Sequence, residues 1–548
     1  MEKLNISADL ATQTLSELLR EQVALRPDML HAIFPGRTLT FGELDAQAKD
    51  WARAFIAAGV KPGDHIATIM PNCAEWLPVY YGAHYCGAVL VALNARYKRQ
   101  ELAYTLAHSR AKILVTTDSI VEHVDYAVLL NDIFPELASQ DTEALSLAAA
   151  PDLTAIVLCE GRELPGMHCA PDFLAAGESV TDESLAAASA TRSIDDTAAI
   201  IYTSGTTSNP KGCELTHGSI QNSWSTFARL VNLSAGETVW MPMPFFHTGG
   251  IGPMTTMLSR GAAFITQPHY EAEGVVELIE RHKADHLYPG FPQLAFGVIE
   301  HPRFDKVRFD HVRTLLNVGP AAMQRRIQDL LPDGAVLLNL FGMTEGSGIV
   351  TFTPTDAPFP VRAETSGLPP PHTEIRIVDP ETGEICADGK AGELQFRGAG
   401  AFKGYYADPA ATSAAIDPNG WVATGDRGVI NAEGYLVYLG RLKDMLKVGG
   451  ENVAAAEIEA FIQGLDAVRM VQVIGVADPR MGEVPVAFIE RMDGANVTEA
   501  DVIAACQGQL ARWKVPRRVV FVTEWPMSAT KVQKYRLAEL LTESDPVA

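Results

Sequence analysis

The chain of 548 residues lacks the marks of several large protein classes. The two uncharged runs that reach the ~18 residues a membrane-crossing helix needs, 76–95 and 238–259, are broken by proline, glycine and histidine, so neither reads as a membrane-crossing helix. The opening MEKLNISADLATQTL has neither the basic start nor the apolar stretch of a secretory leader. The closing ESDPVA matches no retention, peroxisomal or prenylation signal. Positive charge is scarce: 44 Lys and Arg stand against 67 Asp and Glu, a formal net charge of -23. That balance speaks against a non-specific nucleic-acid binder and against docking on an anionic membrane. It leaves room for a local basic pocket, since net charge says nothing about one cleft. Cysteine is sparse as well. Cys73, Cys86, Cys159, Cys169, Cys213, Cys386 and Cys506 are scattered, odd in number and without a CxxC pair. A zinc site or disulfide framework is not expected, each thiol reads as a small buried apolar group, and a cytoplasmic location fits. Neither an internal repeat nor a low-complexity tract is visible.

What is present is an ordinary globular balance, 47% hydrophobic and 20% charged. At about 150 residues per domain the length allows roughly three or four structural units and a large core. Residues 41–59 read as an amphipathic helix ended by Gly59. HIATIM (65–70), VLVALN (89–94), KILVTT (112–117), LTAIVLCEG (153–161) and AAIIYTS (198–204) read as strands, with a helix over AEWLPVYYGAHYCGA between the first two. Apolar strands alternating with helices predict an α/β protein with largely parallel sheets flanked by helices. The less regular stretch 120–195 reads as surface helices and loops. Near residue 390 the texture changes to short glycine-punctuated strands. A helix over AAAEIEAFIQGL, a strand over VRMVQVIGVA and a helix over EADVIAACQGQLAR follow. The expected division is a large domain, 1–442, and a small mobile α+β C-terminal domain, 443–548.

The strongest local signal is Tyr202-Thr203-Ser204-Gly205-Thr206-Thr207-Ser208-Asn209-Pro210-Lys211-Gly212. It packs five serine and threonine hydroxyls, two glycines and one lysine into eleven residues. Phosphate needs close backbone N–H donors, hydroxyls and a cation, and glycine lets the backbone approach. Turn residues of this kind also make plain surface turns. A Walker A loop is excluded, because that motif places Gly directly before Lys and a helix after it. Here Pro210 precedes the lysine, and strand-like CELTH follows.

The string resembles the YTSGTTGxPKG signature of the adenylate-forming (ANL) superfamily, which includes acyl-CoA synthetases, peptide-synthetase adenylation domains and firefly-type luciferases. Ser208 stands where that signature has glycine. Further resemblances follow in family order along almost the whole chain. Pro244-Phe245-Phe246-His247 resembles the aromatic-His segment between nucleotide and acyl tunnel. Asn317-Val318-Gly319-Pro320-Ala321 resembles the loop along adenine. Phe341-Gly342-Met343-Thr344-Glu345 resembles YGMTE, with Phe for Tyr, and Asn339 just ahead of it is grouped with the nucleotide residues. Thr424-Gly425-Asp426 resembles the segment whose aspartate accepts the ribose hydroxyls, and Arg441 matches the family arginine near ribose and phosphate. Lys443 stands at the hinge position. Lys447, Gly449 and Gly450 resemble the face presented to coenzyme A. Pro526–Lys534 resembles the PxTxxGKxxK motif, one residue shorter and without the glycine, so the catalytic lysine is placed at Lys531, with Lys534 as the other candidate.

The resemblance implies the acyl-CoA synthetase, or fatty-acid–CoA ligase, branch, with ATP, Mg²⁺ and coenzyme A. Thr203, Ser204, Gly205, Thr206, Thr207 and Lys211 would hold phosphates, with Gly319, Pro320, Phe341, Gly342, Met343 and Thr344 at the nucleotide. Glu345 and Thr206 would hold the metal. Lys531, Glu345, Thr344 and His247 are the implied catalytic set. His247, Thr248, Gly250 and Asn317 would line the acyl pocket. The substrate is expected to be a medium or long fatty acid or a bulky cyclic or aryl acid. The partner is that small acid, with no nucleic acid and no integral membrane association; a homodimer is left open. Two rival readings remain: an adenylation enzyme that loads a carrier protein, and a degenerate nucleotide-binding member. The first would bind an α-amine through an aspartate that PFFHTGG lacks.

Overall fold

The computed structural model describes residues 9–160, 162–190, 192–203, 209–449, 451–528 and 531–541. Ser204, Gly205, Thr206, Thr207 and Gly450, all expected at the site, lie outside them.

Two parallel-rich sheets make up the bulk of the fold. One has eight strands, with Val89–Leu93 and His65–Ile69 at its centre. Ile113–Thr116, Ala155–Leu158 and His168–Cys169 lie to one side, and Thr197–Thr203, Lys211–Thr216 and Gly404–Tyr405 to the other. Pairing is parallel from His168–Cys169 through Thr197–Thr203 and antiparallel over the last two steps. Val89–Leu93 is buried at every residue, as a parallel strand covered on both faces should be. The second sheet has seven strands, parallel except for the edge hairpin Leu30–Phe34/Arg37–Thr40. The helix Phe41–Ala57 begins with a reciprocal cap: Glu43 N–H donates to Thr40 Oγ1 at 3.1 Å, and Thr40 N–H donates to Glu43 Oε2 at 2.8 Å. Its face Phe41, Leu44, Ala48, Trp51 and Phe55 is buried at helical spacing.

The stretch 120–195 is more ordered than the sequence implies. Besides helices and turns it holds the edge strand His168–Cys169, and Leu130, Phe134 and Leu137 are buried.

After these layers comes an antiparallel sheet of four strands, Thr373–Val378, Gly392–Gly398, Val422–Ile430 and Leu436–Arg441. From Met445 onward the chain builds its own five-stranded sheet and its own apolar cluster, which includes Val453, Ile458, Ile462, Val471 and Ile489. The helix expected over 499–512 stops at Cys506, because Gly508 turns the chain at φ +80°. Among the described residues no helix is long and apolar enough to cross a membrane.

Candidate active site

The phosphate-type loop closes an antiparallel hairpin. Thr203 ends one strand, Lys211 begins the next, and the two are register partners. Thr203 Oγ1 donates to Lys211 O at 3.4 Å. The Lys211 ammonium lies 5.0 Å from the centre of the Tyr405 ring, a cation–π placement. Tyr405 O–H in turn donates to Glu345 Oε1 at 2.7 Å. Lys211, Tyr405 and Glu345 therefore form a continuous chain from the base of the loop to the carboxylate. The same segment grips Glu345 through its main chain, since Phe402 N–H donates to Glu345 O at 2.8 Å. Tyr405 stays a donor because burial, and then the Glu345 carboxylate beside it, hold its hydroxyl far above the usual phenol range. Cys213 is its register partner on the neighbouring strand. Burial and Glu345 also push that thiol up, so it remains an inert thiol. Asn209, Pro210 and Lys211 border a cavity of about 230 Å³ that Tyr406, His108 and Asp408 share.

Glu345 sits in a single 3₁₀ turn, Thr344–Gly346, which follows the short strand Leu340–Phe341. Thr344 and Glu345 are half-buried, Phe341 is buried and Gly342 is exposed. Gly342 is required by close approach, because a Cβ there would lie 1.9 Å from the Gly348 carbonyl oxygen. Phe341 stacks on Tyr438 with centroids 5.7 Å apart and planes at 29°. Tyr438 reaches Asp426, O–H to Oδ1 at 3.5 Å. Asp426, buried, is the register partner of Arg441, whose Nε lies 3.8 Å from Oδ1. Phe341 thus links the carboxylate turn to the Asp426–Arg441 pair. Tyr438 and Arg441 also line a cavity of about 190 Å³ together with Glu459 and Lys534.

Gly319 and Pro320 lie between the strand Thr314–Asn317 and the helix Ala321–Leu330, the strand-to-helix turn that the sequence predicts. Asn317 is fully buried: its Nδ2 donates to Gln324 Oε1 at 2.9 Å, and Gln324 Nε2 donates back to its carbonyl at 2.7 Å. Asn339 is likewise engaged with the main chain, donating to Thr365 O at 3.0 Å and accepting from Leu340 N–H. Both hold loops in shape. His247 occupies the N-cap position of the helix Thr248–Arg260, half-buried beside Phe246. Gly250 is buried, and a Cβ on it would meet the Pro244 carbonyl oxygen at 2.1 Å, so the turn from the aromatic run into the helix tolerates no side chain there.

Lys443 falls in the 3₁₀ turn Leu442–Asp444 between the two sheets. Partial burial, reinforced by Arg441, lowers its ammonium pKa. Lys447 N–H donates to Glu483 Oε2 at 2.7 Å, and Gly449 N–H to Met481 O at 2.7 Å. Lys531 begins the second strand of a small hairpin, Met527–Ser528/Lys531–Val532, where it is the register partner of Ser528; its side chain lies outside the described residues. Lys534, the other candidate, is taken up by Glu459, Nζ to Oε1 at 2.6 Å.

Nothing in the sequence marks Tyr405 or Tyr438. Tyr405 reaches Glu345 across 60 positions, and Tyr438 reaches Phe341 across nearly a hundred. No local spacing encodes such pairs.

The Lys211–Tyr405–Glu345 chain and the Asp426–Arg441 pair are compatible with an adenylate-forming enzyme. The profile of the AMP-binding enzyme family matches residues 19–406, and that of the AMP-binding enzyme C-terminal domain matches 457–531. The chain is 34% identical to a putative acyl-CoA synthetase, YngI, of Bacillus subtilis, over 98% of both chains. It is 31% identical to the mitochondrial medium-chain acyl-CoA ligase ACSF2 of Bos taurus, over 92% of this chain and 83% of that one. The ATP-bound crystal structure of MatB from Rhodopseudomonas palustris superposes with a TM-score of 0.82 at 28% identity, over 97% of this chain and 100% of that one. The chain belongs to the AMP-binding enzyme family, in its acyl-CoA ligase branch.

Proposed function

We propose that the protein is an AMP-forming acid–CoA ligase acting on medium or long fatty acids or on bulky cyclic or aryl acids. The observation that carries this reading is the Lys211–Tyr405–Glu345 chain, which joins a phosphate-type loop to a carboxylate. Its relatives among acyl-CoA synthetases support it.

A carboxylate is a poor electrophile because its leaving group would be oxide. In the first half-reaction its oxygen attacks the α-phosphorus of ATP, the bond to the β-phosphate oxygen breaks, and pyrophosphate leaves. The protein positions the groups and neutralises charge. Loop 203–211 holds the β- and γ-phosphates, Thr344 donates to the α-phosphate, and Lys531 approaches between carboxylate and α-phosphate. Phe341 offers a face to adenine beside Gly319 and Pro320, and Asp426 accepts from the ribose hydroxyls. Acceptor-only carboxylates suit a diol.

Mg²⁺ fits this donor set. Among the described residues no three His, Cys, Asp or Glu side chains gather into a metal cage. Mg²⁺ characteristically takes one or two carboxylates and completes its shell with phosphate oxygens and water. Glu345 would hold it, with Thr206 the sequence's other candidate, and the ion would offset phosphate charge.

In the second half-reaction the CoA thiol attacks the acyl carbonyl, and AMP leaves. The tail, residues 443–548, would turn about Lys443 so that Lys447, Gly449 and Gly450 replace Lys531 at the cleft. Release of AMP is the test, measured with ATP, CoA and a panel of fatty, aryl and fused-ring acids. Acid- and CoA-dependent AMP is expected. ATP binding with no AMP formed from any acid would instead favour a non-catalytic member, and pyrophosphate exchange with amino acids but not with fatty acids a carrier-loading enzyme.

A further inference from the structure

We infer that Gln293 and Arg326 form a releasable latch: they grip the thioethers of Met470 and Met492 and so hold the tail with its Lys531–Lys534 end at the Asp426–Arg441 pair. The inference rests on the ligase reading above. Gln293 lies on the helix Pro292–Ile299 and Arg326 on the helix Ala321–Leu330. Both helices pack on the seven-stranded sheet, where Ala295, Val298 and Ile327 share an apolar cluster with Leu287 and Leu315. Met470 lies on the strand Val468–Asp478, and Met492 follows the strand Gly482–Arg491. Met470 pairs with Glu490 and Val468 with Arg491, so the two thioethers stand at one end of the tail's sheet. Gln293 Nε2 donates to Met470 Sδ at 3.2 Å, and Arg326 Nη1 donates to Met492 Sδ at 3.5 Å. Arg326 is fixed from its own side: its guanidinium lies 4.7 Å from the centre of the Phe296 ring, and its other terminal nitrogen pairs with Glu300.

The chemistry of the contacts suits a surface that has to part. A thioether sulfur is a weak acceptor on a flexible apolar side chain. A carboxylate in place of Met492 would take the guanidinium in a strong charge-assisted pair and hold it. The orientation that the latch holds has a definite content. Lys534, three residues beyond Lys531, borders one cavity with Tyr438 and Arg441, and Arg441 is paired with Asp426. Gripping the tail at Met470 and Met492 therefore keeps the segment that carries Lys531 beside the pair proposed for the ribose. The helix of Gln293 also begins against the turn proposed for adenine, where a Cβ on Gly319 would fall 3.1 Å from Pro292 Cγ. Release of the two sulfurs is then part of the turn about Lys443 that the second half-reaction requires.

Met470→Leu, Met492→Leu, their combination, Arg326→Ala and Arg326→Ala with Met492→Leu would be compared with the unaltered protein. Two initial rates are read, using the acid of the panel that the unaltered protein turns over fastest: pyrophosphate release from ATP and acid, and thioester formation from preformed acyl-AMP and CoA. Leucine keeps the volume of methionine and removes the acceptor. Each rate follows the population of its own orientation, so their ratio moves by the whole change in the equilibrium, whichever orientation predominates. Loss of one sulfur contact should shift the ratio about two- to threefold towards thioester formation, and loss of both about fivefold, the low end for hydrogen bonds. Arg326→Ala with Met492→Leu should shift it no further than Arg326→Ala alone, because both changes remove the same contact. Folded variants with an unchanged ratio, or shifts of Arg326→Ala and Met492→Leu that add, would overturn the inference alone. Where Arg326→Ala fails to fold, the ratio in the leucine variants decides in the same way. An unaltered protein that carries out neither half-reaction with any acid would overturn the ligase reading and this inference with it.

Discussion

Replacing Tyr405 with phenylalanine removes one hydroxyl and leaves the ring that Lys211 covers. The lost contact is the 2.7 Å hydrogen bond to Glu345 Oε1. A hydrogen bond to a charged group contributes about 1.5–3 kcal/mol. Glu345 is half-buried, so water can replace the missing donor and the loss belongs at the low end. About 1.5 kcal/mol corresponds to roughly a tenfold change. If Glu345 acts by holding magnesium and phosphate, the change appears in kcat/KM for Mg-ATP and in a steeper dependence on free Mg²⁺. The KM for the acid stays as it was. Steady-state pyrophosphate release with ATP and metal varied independently makes the measurement, with thermal melting to show that the fold is intact. An intact Tyr405→Phe protein with unchanged nucleotide and metal kinetics, or with a defect confined to the acid, would refute the assignment of Glu345.

Asp426→Asn should lower kcat/KM for ATP about 10–100-fold by weakening hydrogen bonds to the ribose, and should shrink the preference for ATP over 2′-deoxy-ATP; an unchanged preference in the same assay would place the ribose elsewhere. Acid stability should reflect two buried histidines. His31, stacked on Phe41 at 4.6 Å, and His217, which accepts from Leu15 N–H at 3.3 Å, are both lowered by burial from 6.5 to about 4. Above pH 6.5 neither state of the chain protonates them. As pH falls towards 4 the unfolded chain takes up the protons first, so stability drops by about 3 kcal/mol per histidine by pH 4. Melting temperature against pH should therefore fall less steeply for His31→Phe than for the unaltered protein, and equal slopes would count against this account.

The layered α/β fold was legible because its strands are short apolar runs and its helices carry period-3.6 faces. The 41–59 segment is the clearest case, with Thr40 and Glu43 supplying the start. The helix expected to run on to 512 misled because apolar spacing continues past Cys506, while Gly508 ends it through backbone geometry. Site residues that sit in contiguous strings, such as 202–212 and 341–345, stood out through the chemistry that the strings imply. Tyr405 and Tyr438 did not, because each meets a partner brought close only by the fold. Asn317 and Asn339 lie within or beside such strings, and their side-chain amides donate to Gln324 and Thr365.

In the proposed mechanism one cleft performs two half-reactions with two different faces of the tail. Lys531→Ala should test it most directly, assayed separately for pyrophosphate release from ATP and acid, and for thioester formation from preformed acyl-AMP and CoA. The first is expected to be abolished and the second retained. Equal loss of both half-reactions in a folded protein would contradict it.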